Sequence, residues 1–239
     1  MLLEDKAALV YGGAGSIGRA MATAFAREGA KVHLAGRTAS PLEAAAAEIR
    51  RAGGAVETAQ LDALDAEAVD AHVDAVAERS GSVDISATAI SLGEAFGTPL
   101  VETTPADFER PVVTALRSTL LTSRAAARHM IEQRSGVILT FGGYGRPPTD
   151  FYLGGFQVAL SAVDALRRQL AAELGSHGIR VLTLQSTGVS EAFGDDPDAL
   201  LGRRATLAEV GTTAAFAASD QAGAMTATAL NITCGAEVD

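Results

Sequence analysis

The sequence predicts an α/β protein, an open, doubly wound parallel sheet with helices on both faces, in a single domain over 1–239. Three observations predict it. Short apolar runs alternate with longer segments of helical period from end to end. A cluster of glycines falls where the first such run meets the first helix. No linker, repeat or low-complexity tract interrupts the alternation. Strands that alternate with helices run parallel, because each helix carries the chain back across the sheet.

The elements follow in order. Residues 6–12 (KAALVYG) read as a buried strand ending at a glycine. Residues 16–28 read as a helix, with Ile17, Ala20, Met21, Ala24 and Phe25 at helical spacing. A second strand spans 30–36. A helix over 41–52 is expected to be capped by Ser40, to start at Pro41 and to stop at Gly53-Gly54. Strands at 55–61 and 82–89 flank a helix at 65–79. Residues 105–134 form a long helix that Pro111 is expected to disturb. Then come a strand at 136–141, a helix at 156–177, a strand at 179–185, a helix at 206–219 and a last strand at 227–233. Two stretches read as loops: 142–155, rich in Gly and Pro, and the short acidic 190–202.

Composition narrows the function. Nineteen Lys and Arg against 29 Asp and Glu give a formal charge of −10. A chain this acidic is a poor partner for nucleic acid or anionic lipid. Its apolar runs fall short of the roughly 18 residues of a membrane span. The opening MLLEDKAALVYGG lacks a basic segment followed by an apolar core, so it does not read as a signal peptide. The single cysteine, Cys234, allows no internal disulfide and no multi-cysteine metal site. The expectation is a soluble cytoplasmic protein without a metal. Lysine occurs only at positions 6 and 31.

Gly12-Gly13-Ala14-Gly15-Ser16-Ile17-Gly18 joins the first strand to the first helix, and Gly13, Gly15 and Gly18 fit G-x-G-x-x-G. Such glycines let backbone N–H groups approach a pyrophosphate at a helix N-terminus. A glycine-rich turn without a ligand is the competing reading. An acid at the end of the second strand would mark NAD, but the strand ends Ala35-Gly36-Arg37. Arg37 puts a guanidinium where the 2′-phosphate of NADP would lie; a solvated surface arginine is the alternative. Asp62, followed by Ala63, stands where an acid accepts from the adenine amine, or else where a loop aspartate turns the chain.

At this point the chain resembles the short-chain dehydrogenase/reductase superfamily, and 3-oxoacyl-carrier-protein-reductase-like members in particular. YGGAGSIG resembles the glycine motif TGxxxGIG, with Tyr11 for Thr and Ser16 for the middle glycine. LAGR resembles the NADP-type second strand, and LDALD the adenine-contacting aspartate at Asp62. RQLAAELGSHGIRVLTL and the closing LNITCG match later signatures. The resemblance implies a Rossmann-type sheet of seven strands, cofactor contacts at Gly12, Gly15, Ser16, Ile17, Gly18, Arg37, Asp62 and Ala63, NADP as cofactor and a substrate lid, here shortened, at 190–202. It also implies a homodimer or homotetramer, with the helices at 111–134 and 156–176 paired across an interface.

The family's chemistry is hydride transfer with proton delivery by Tyr, Lys, Ser and Asn. In this chain those positions fall on Phe156, Leu160, Gly143 and Ala115, and Thr88 replaces an Asn of the NNAG stretch. No register restores YxxxK, because no lysine follows Lys31. A loss of about 10⁴ or more in rate is expected. Tyr152 and Tyr144 are the remaining acid–base candidates. His177 reads as a helix-end cation, His33 as a core residue, His72 and His129 as helix-face residues. Glu191, Asp195, Asp196 and Asp198 read as a solvated acidic loop. The sequence therefore points to an NADP(H)-binding protein that is redox-silent or repurposed, with a small apolar ligand. The alternatives are a cyclase, dehydratase or isomerase on the same fold, or an unorthodox NADPH-dependent carbonyl reductase.

Overall fold

The computed structural model describes residues 1–93, 96–143 and 152–238. Seven strands form one sheet: β1 (Ala7–Tyr11), β2 (Lys31–Gly36), β3 (Val56–Gln60), β4 (Ile85–Thr88), β5 (Gly136–Gly142), β6 (Ile179–Gln185) and β7 (Thr228–Asn231). Their order is β3-β2-β1-β4-β5-β6-β7, and every pairing is parallel. The helices are α1 (Ser16–Arg27), α2 (Ala39–Arg51), α3 (Ala66–Ser80), α4 (Pro105–Gln133), α5 (Phe156–Leu174), α6 (Ser190–Phe193) and α7 (Leu207–Ala218).

The pleat sends alternate residues of each strand to opposite faces. Ala8 and Val10 of β1 join Met21, Phe25 and Leu34 on the face covered by α1, α2 and α7. Ala7, Leu9 and Tyr11 join Val69, Val73, Ala126 and Met130 on the face covered by α3, α4 and α5. Winding reverses between β1 and β4, which opens a crevice at the carboxyl ends of these strands.

Several expected boundaries move. Helix α2 begins at Ala39, with Thr38 at its N-cap and no side-chain cap bond, so Ser40 and Pro41 lie inside its first turn. Proline fits there, since the first-turn N–H groups have no helical acceptor. Helix α4 runs unbroken past Pro111, which is buried. Helix α5 stops at Leu174, and a 3₁₀ turn, Gly175–His177, completes the predicted span. Within α5 Arg167 is buried, held by Asp164 through Nε at 3.0 Å, while Ala165 is exposed. The acidic 190–202 stretch contains the short α6.

Candidate dinucleotide site

The glycine turn sits in the crevice. Gly12 follows β1 at φ +78°, and a Cβ there would fall 2.2 Å from the Ala89 carbonyl oxygen beyond β4. Only glycine lets the loop pass so close to the neighbouring strand end. Gly18 packs the start of α1 onto the same loop, its missing Cβ 2.3 Å from the Gly12 carbonyl. Gly15 is the N-cap of α1 and supplies no side-chain cap. The amides of Ser16, Ile17 and Gly18 thus open α1 with no acceptor inside the helix, and the positive end of the helix dipole adds to them. This is a fit for a pyrophosphate.

Beside the loop lies a cavity of about 250 Å³ lined by Gly12, Gly15, Arg37, Asp62, Ala63 and Ile90, among others. The structure therefore brings together the sequence candidates Gly12, Gly15, Arg37, Asp62 and Ala63, with Ser16, Ile17 and Gly18 next to them on α1. Arg37 is exposed, its carbonyl accepts from Gln60 Nε2 at 3.0 Å, and among the described residues its guanidinium has no acidic partner. Asp62 Oδ1 accepts from the Leu64 N–H at 3.0 Å, turning the chain; the cap of α3 is Asp65. The cavity floor includes Tyr11, which is fully buried and whose hydroxyl lacks a partner among the described residues. Burial and then the Asp70 charge push that phenol well above its usual range, which leaves it no acid–base role at neutral pH. A second depression, about 290 Å³, lies between α1 and the start of α7, where Arg19 is paired with Glu48 at 3.3 Å.

Over β4, β5 and β6 the described residues include an apolar group beside the polar Thr88 and Ser186. Ala115 is buried in a cluster with Ala159 and Val163, against Leu92, Val112 and Leu116. Phe156 meets Phe96 edge to face, with ring centroids 5.5 Å apart and planes at 86°. Leu160 Cδ2 approaches Gly142, 4.0 Å from where a Cβ would stand. At Gly143 a Cβ would fall 2.1 Å from the Ser186 carbonyl oxygen. Thr88 is buried and shares a hydrogen bond with Thr122 at 3.3 Å. The Gly97 N–H donates to the Tyr152 carbonyl at 2.9 Å, which joins the β4–α4 loop to the segment before α5. Tyr152 is 44% exposed rather than packed under a loop. Tyr144 lies outside the described residues. Sequence reasoning missed Phe96, because it stands in a loop, where no periodicity marks it.

In the acidic loop Glu191, Asp195 and Asp198 are exposed and Asp196 is half-buried, and two of the four carboxylates also hold the chain. Glu191 accepts from the Leu207 N–H at 2.9 and 3.1 Å, a bond that holds its carboxyl below the usual range. Arg204 Nη1 donates to the carbonyls of Phe193, Gly194 and Asp195, and Arg204 pairs with Asp196 at 3.2 Å. Leu201 N–H reaches the Cys234 carbonyl at 3.0 Å. Of the four acids, Asp195 and Asp198 alone have carboxylates without a hydrogen bond or ion pair among the described residues. The loop is braced because each helix end in it needs partners that its own backbone cannot supply. Among the described residues no cluster of His, Cys, Asp or Glu could hold a metal.

The histidines lie away from that apolar group. His33 is buried against Ser80 at 3.1 Å, and His129 pairs with Asp74 at 2.8 Å. His72 tucks against Tyr11, with ring centroids 6.3 Å apart, instead of standing free on the helix face. His177 ends the turn after α5, a helix about 28 Å long, at the end opposite Phe156. No helix among the described residues is long and apolar enough to cross a membrane.

A doubly wound parallel sheet with a glycine turn and an uncapped helix end at its switch point defines a protein of the dinucleotide-binding class. Residues 12–237 match the family described as enoyl-(acyl carrier protein) reductase. D-threitol dehydrogenase of Mycolicibacterium smegmatis is 33% identical over 231 residues, 92% of this chain and 88% of that one. Galactitol 2-dehydrogenase of Rhizobium johnstonii is 30% identical over 253 residues, 98% of this chain and 95% of that one. A short-chain dehydrogenase/reductase from Serratia marcescens superposes with a TM-score of 0.88 at 28% identity, over 100% of both chains. The chain belongs to the short-chain dehydrogenase/reductase superfamily of NAD(P)-dependent oxidoreductases.

Proposed function

We propose that this protein binds NADP(H) in the crevice and does not perform proton-coupled reduction of simple ketones. The cofactor reading rests on the uncapped α1 with its open Gly15, and on Arg37. The Ser16, Ile17 and Gly18 amides would hold the pyrophosphate, Arg37 a 2′-phosphate, and Asp62 with Ala63 the adenine. When bound, the reduced nicotinamide supplies a hydride.

The observation that carries the catalytic half is the apolar set Ala115, Gly143, Phe156 and Leu160 at the ends of β4 to β6. Reducing a carbonyl builds negative charge on oxygen, which needs a hydrogen-bond donor and then a proton. Phe156 and Leu160 supply neither. The space a serine Cβ would fill at Gly143 is taken by the Ser186 carbonyl, an acceptor that repels an oxyanion. The relatives' names point to sugar alcohols. The apolar Ala115, Phe156 and Leu160 favour a small apolar ligand under the 190–202 lid. The exposed Val113, Leu120 and Val158 on α4 and α5 support a homodimer or homotetramer, and the single cysteine fits the cytoplasm.

The test is a titration with NADPH, followed by single-turnover oxidation of bound NADPH against a panel of ketones and enoyl compounds. Tight binding without oxidation is expected. Absence of binding would overturn the cofactor reading, and rates of about 1 per second or more would overturn the catalytic one.

A further inference from the structure

We propose that Glu191 is a charged latch: it ties α6 to the start of α7 and, from there, opposes the pyrophosphate of a dinucleotide at the neighbouring start of α1. The inference rests on the cofactor reading above and adds its regulation. Cofactor binding loosens the 190–202 segment, and the fastened segment weakens cofactor binding.

The two helix starts lie side by side. Helix α1 connects the parallel strands β1 and β2, and α7 connects the parallel strands β6 and β7. Both helices therefore leave the carboxyl edge of the sheet and run in the same direction. Gly211 of α7 packs on α1, its missing Cβ 2.5 Å from the Ala20 carbonyl oxygen. Each of these residues stands one turn inside its helix. Ser16 and Leu207, the first residues of the two helices, line one depression. Helices packed in this way have axes about 8–10 Å apart. Charges at the two starts interact over that distance when ionic strength is low.

The starts differ in what fills them. Helix α1 opens at Gly15 with no side-chain cap. Helix α7 carries two carboxylates. Glu209 closes a capping box with Thr206, and Arg203 pairs with it at 2.7 and 2.8 Å, so its charge is compensated. Glu191 comes from outside the helix. Its two oxygens accept from the Leu207 N–H at 2.9 and 3.1 Å, and one accepts from the Ser190 hydroxyl at 3.2 Å. Among the described residues no cation pairs with it. The Leu207 bond holds its carboxyl below the usual range, so it is charged at neutral pH. The dipole of α7 favours that one anion. A pyrophosphate at the adjacent start adds negative charge beside it, and the repulsion is reciprocal: whatever factor the carboxylate takes from cofactor affinity, the cofactor takes from the latch.

The segment is built to respond at this point. Gly188, at φ +117°, and Gly202, at φ +66°, bracket it. Its other holds are indifferent to a nearby anion or already neutralised. The Ser190 N–H donates to the Ala205 carbonyl at 3.0 Å, and the Leu201 N–H to the Cys234 carbonyl at 3.0 Å. Arg204 grips the carbonyls of Phe193, Gly194 and Asp195 and is itself paired with Asp196. Glu191 alone fastens the segment by an uncompensated charge at a helix start.

The experiment uses Glu191→Gln, which keeps an oxygen for the Leu207 N–H and removes only the charge. NADP⁺ is titrated into the parent and the variant by calorimetry. The variant is expected to bind about 3- to 10-fold more tightly at about 10 mM salt, and less than about 2-fold more tightly at about 0.5 M, because Glu191 is exposed and salt screens it. Hydrogen exchange read by NMR follows the latch itself. Saturating NADP⁺ is expected to speed exchange of the Leu207 amide in the parent by about the same factor and to leave Glu191→Gln unchanged. In Glu191→Ala that amide should exchange fast before any cofactor is added. Equal NADP⁺ affinity of parent and Glu191→Gln at low salt would overturn the inference while leaving the cofactor reading intact. So would a gain that persists at high salt, a Leu207 amide in the parent that ignores NADP⁺, or one that stays protected in Glu191→Ala. Failure of NADP⁺ to bind either protein would overturn the cofactor reading and the inference with it.

Discussion

Restoring the family's residues should damage this protein before it repairs it. Consider Gly143→Ser. The new Cβ would stand 2.1 Å from the Ser186 carbonyl oxygen, more than 1 Å inside an ordinary contact. The obstacle is backbone, so it cannot swing away. It is also fixed at both ends: the Ser186 N–H donates to the Gly142 carbonyl at 3.0 Å, and Ser186 Oγ accepts from the Gly188 N–H at 3.1 Å. Relief requires prising β5 from β6 at their carboxyl ends, which costs overpacking strain of about 1–3 kcal/mol and about 1 kcal/mol for a lost hydrogen bond. The expected destabilisation is about 2–4 kcal/mol, or a Tm lower by roughly 4–16 °C for a chain of this size. Gly143→Ala should cost about the same, since the Cβ and not the hydroxyl makes the clash. Urea titration and calorimetry of both variants measure it. The fourfold variant Ala115→Asn, Gly143→Ser, Phe156→Tyr, Leu160→Lys should stay below about 1 turnover per second on ketones. The lysine it introduces in place of Leu160 enters an apolar surround that disfavours the charged form, and the asparagine replaces Ala115 at a position only 2% exposed. A Gly143→Ser protein within about 0.5 kcal/mol of the parent would refute the steric reasoning.

NADPH is expected to bind at least about 10-fold more tightly than NADH, and Arg37→Ala to remove most of that difference, as read by nucleotide fluorescence. Equal affinities in the parent would refute the role of Arg37. Burial, helped by the His33 and Arg79 charges, lowers the His72 pKa from 6.5 to about 4. The unfolded chain therefore binds more protons between these values, so stability is full above about pH 6.5 and is lost as pH falls toward 4, by about 3 kcal/mol at most. His72→Leu should flatten that slope in urea titrations across the window, leaving the smaller contribution of His33, whose pKa burial also lowers. Light scattering at micromolar concentration should give a dimer or tetramer, and Val158→Arg should weaken it, because Val158 is a 46% exposed apolar residue on α5. A monomeric parent protein would refute that assignment.

The middle of the sheet was legible because its strands are short, largely apolar runs covered on both faces, whereas the edge strands β3 and β7 are partly exposed and carry polar residues. Val10 and Leu9 are adjacent in sequence and belong to opposite cores, so neither face of β1 tolerates a polar residue. The glycine turn was legible for a similar reason: backbone geometry at Gly12 and Gly18 excludes every other residue type. What the sequence does not carry is partner choice. The carboxylates of Glu191 and Asp196 look solvated in one dimension. They become braces only when α7 and Arg204 fold back onto the loop. Tyr11 reads as a substitution in a motif, and its burial against His72 depends on where α3 lands. Pro111 reads as a break, yet a single missing N–H does not stop a long helix that packs along its length.

The two halves of the crevice differ in what they ask of the chain. A phosphate would be held by main-chain amides at a helix start, so that half would tolerate Ser16 where the family has glycine, provided the turn still closes. Proton delivery is held by side chains and needs Tyr, Lys and Ser to act as a unit, in which losing one member forfeits much of the value of the rest. On the proposed reading Leu160 stands in place of the cation, so a tyrosine at 156 would have nothing to lower its pKa, and a phenol near 10 is a poor proton carrier at neutral pH. Phenylalanine at 156 then gives up little and gains an edge-to-face contact with Phe96. Likewise, with no oxyanion to hold, Gly143 can admit the Ser186 carbonyl. On the proposed reading Ala115, Gly143, Phe156 and Leu160 are mutually consistent, whereas any one of them beside three family residues would be a defect. Changing the four positions one at a time tests that reading: each single reversion is expected to lower stability, and none to raise ketone reduction measurably.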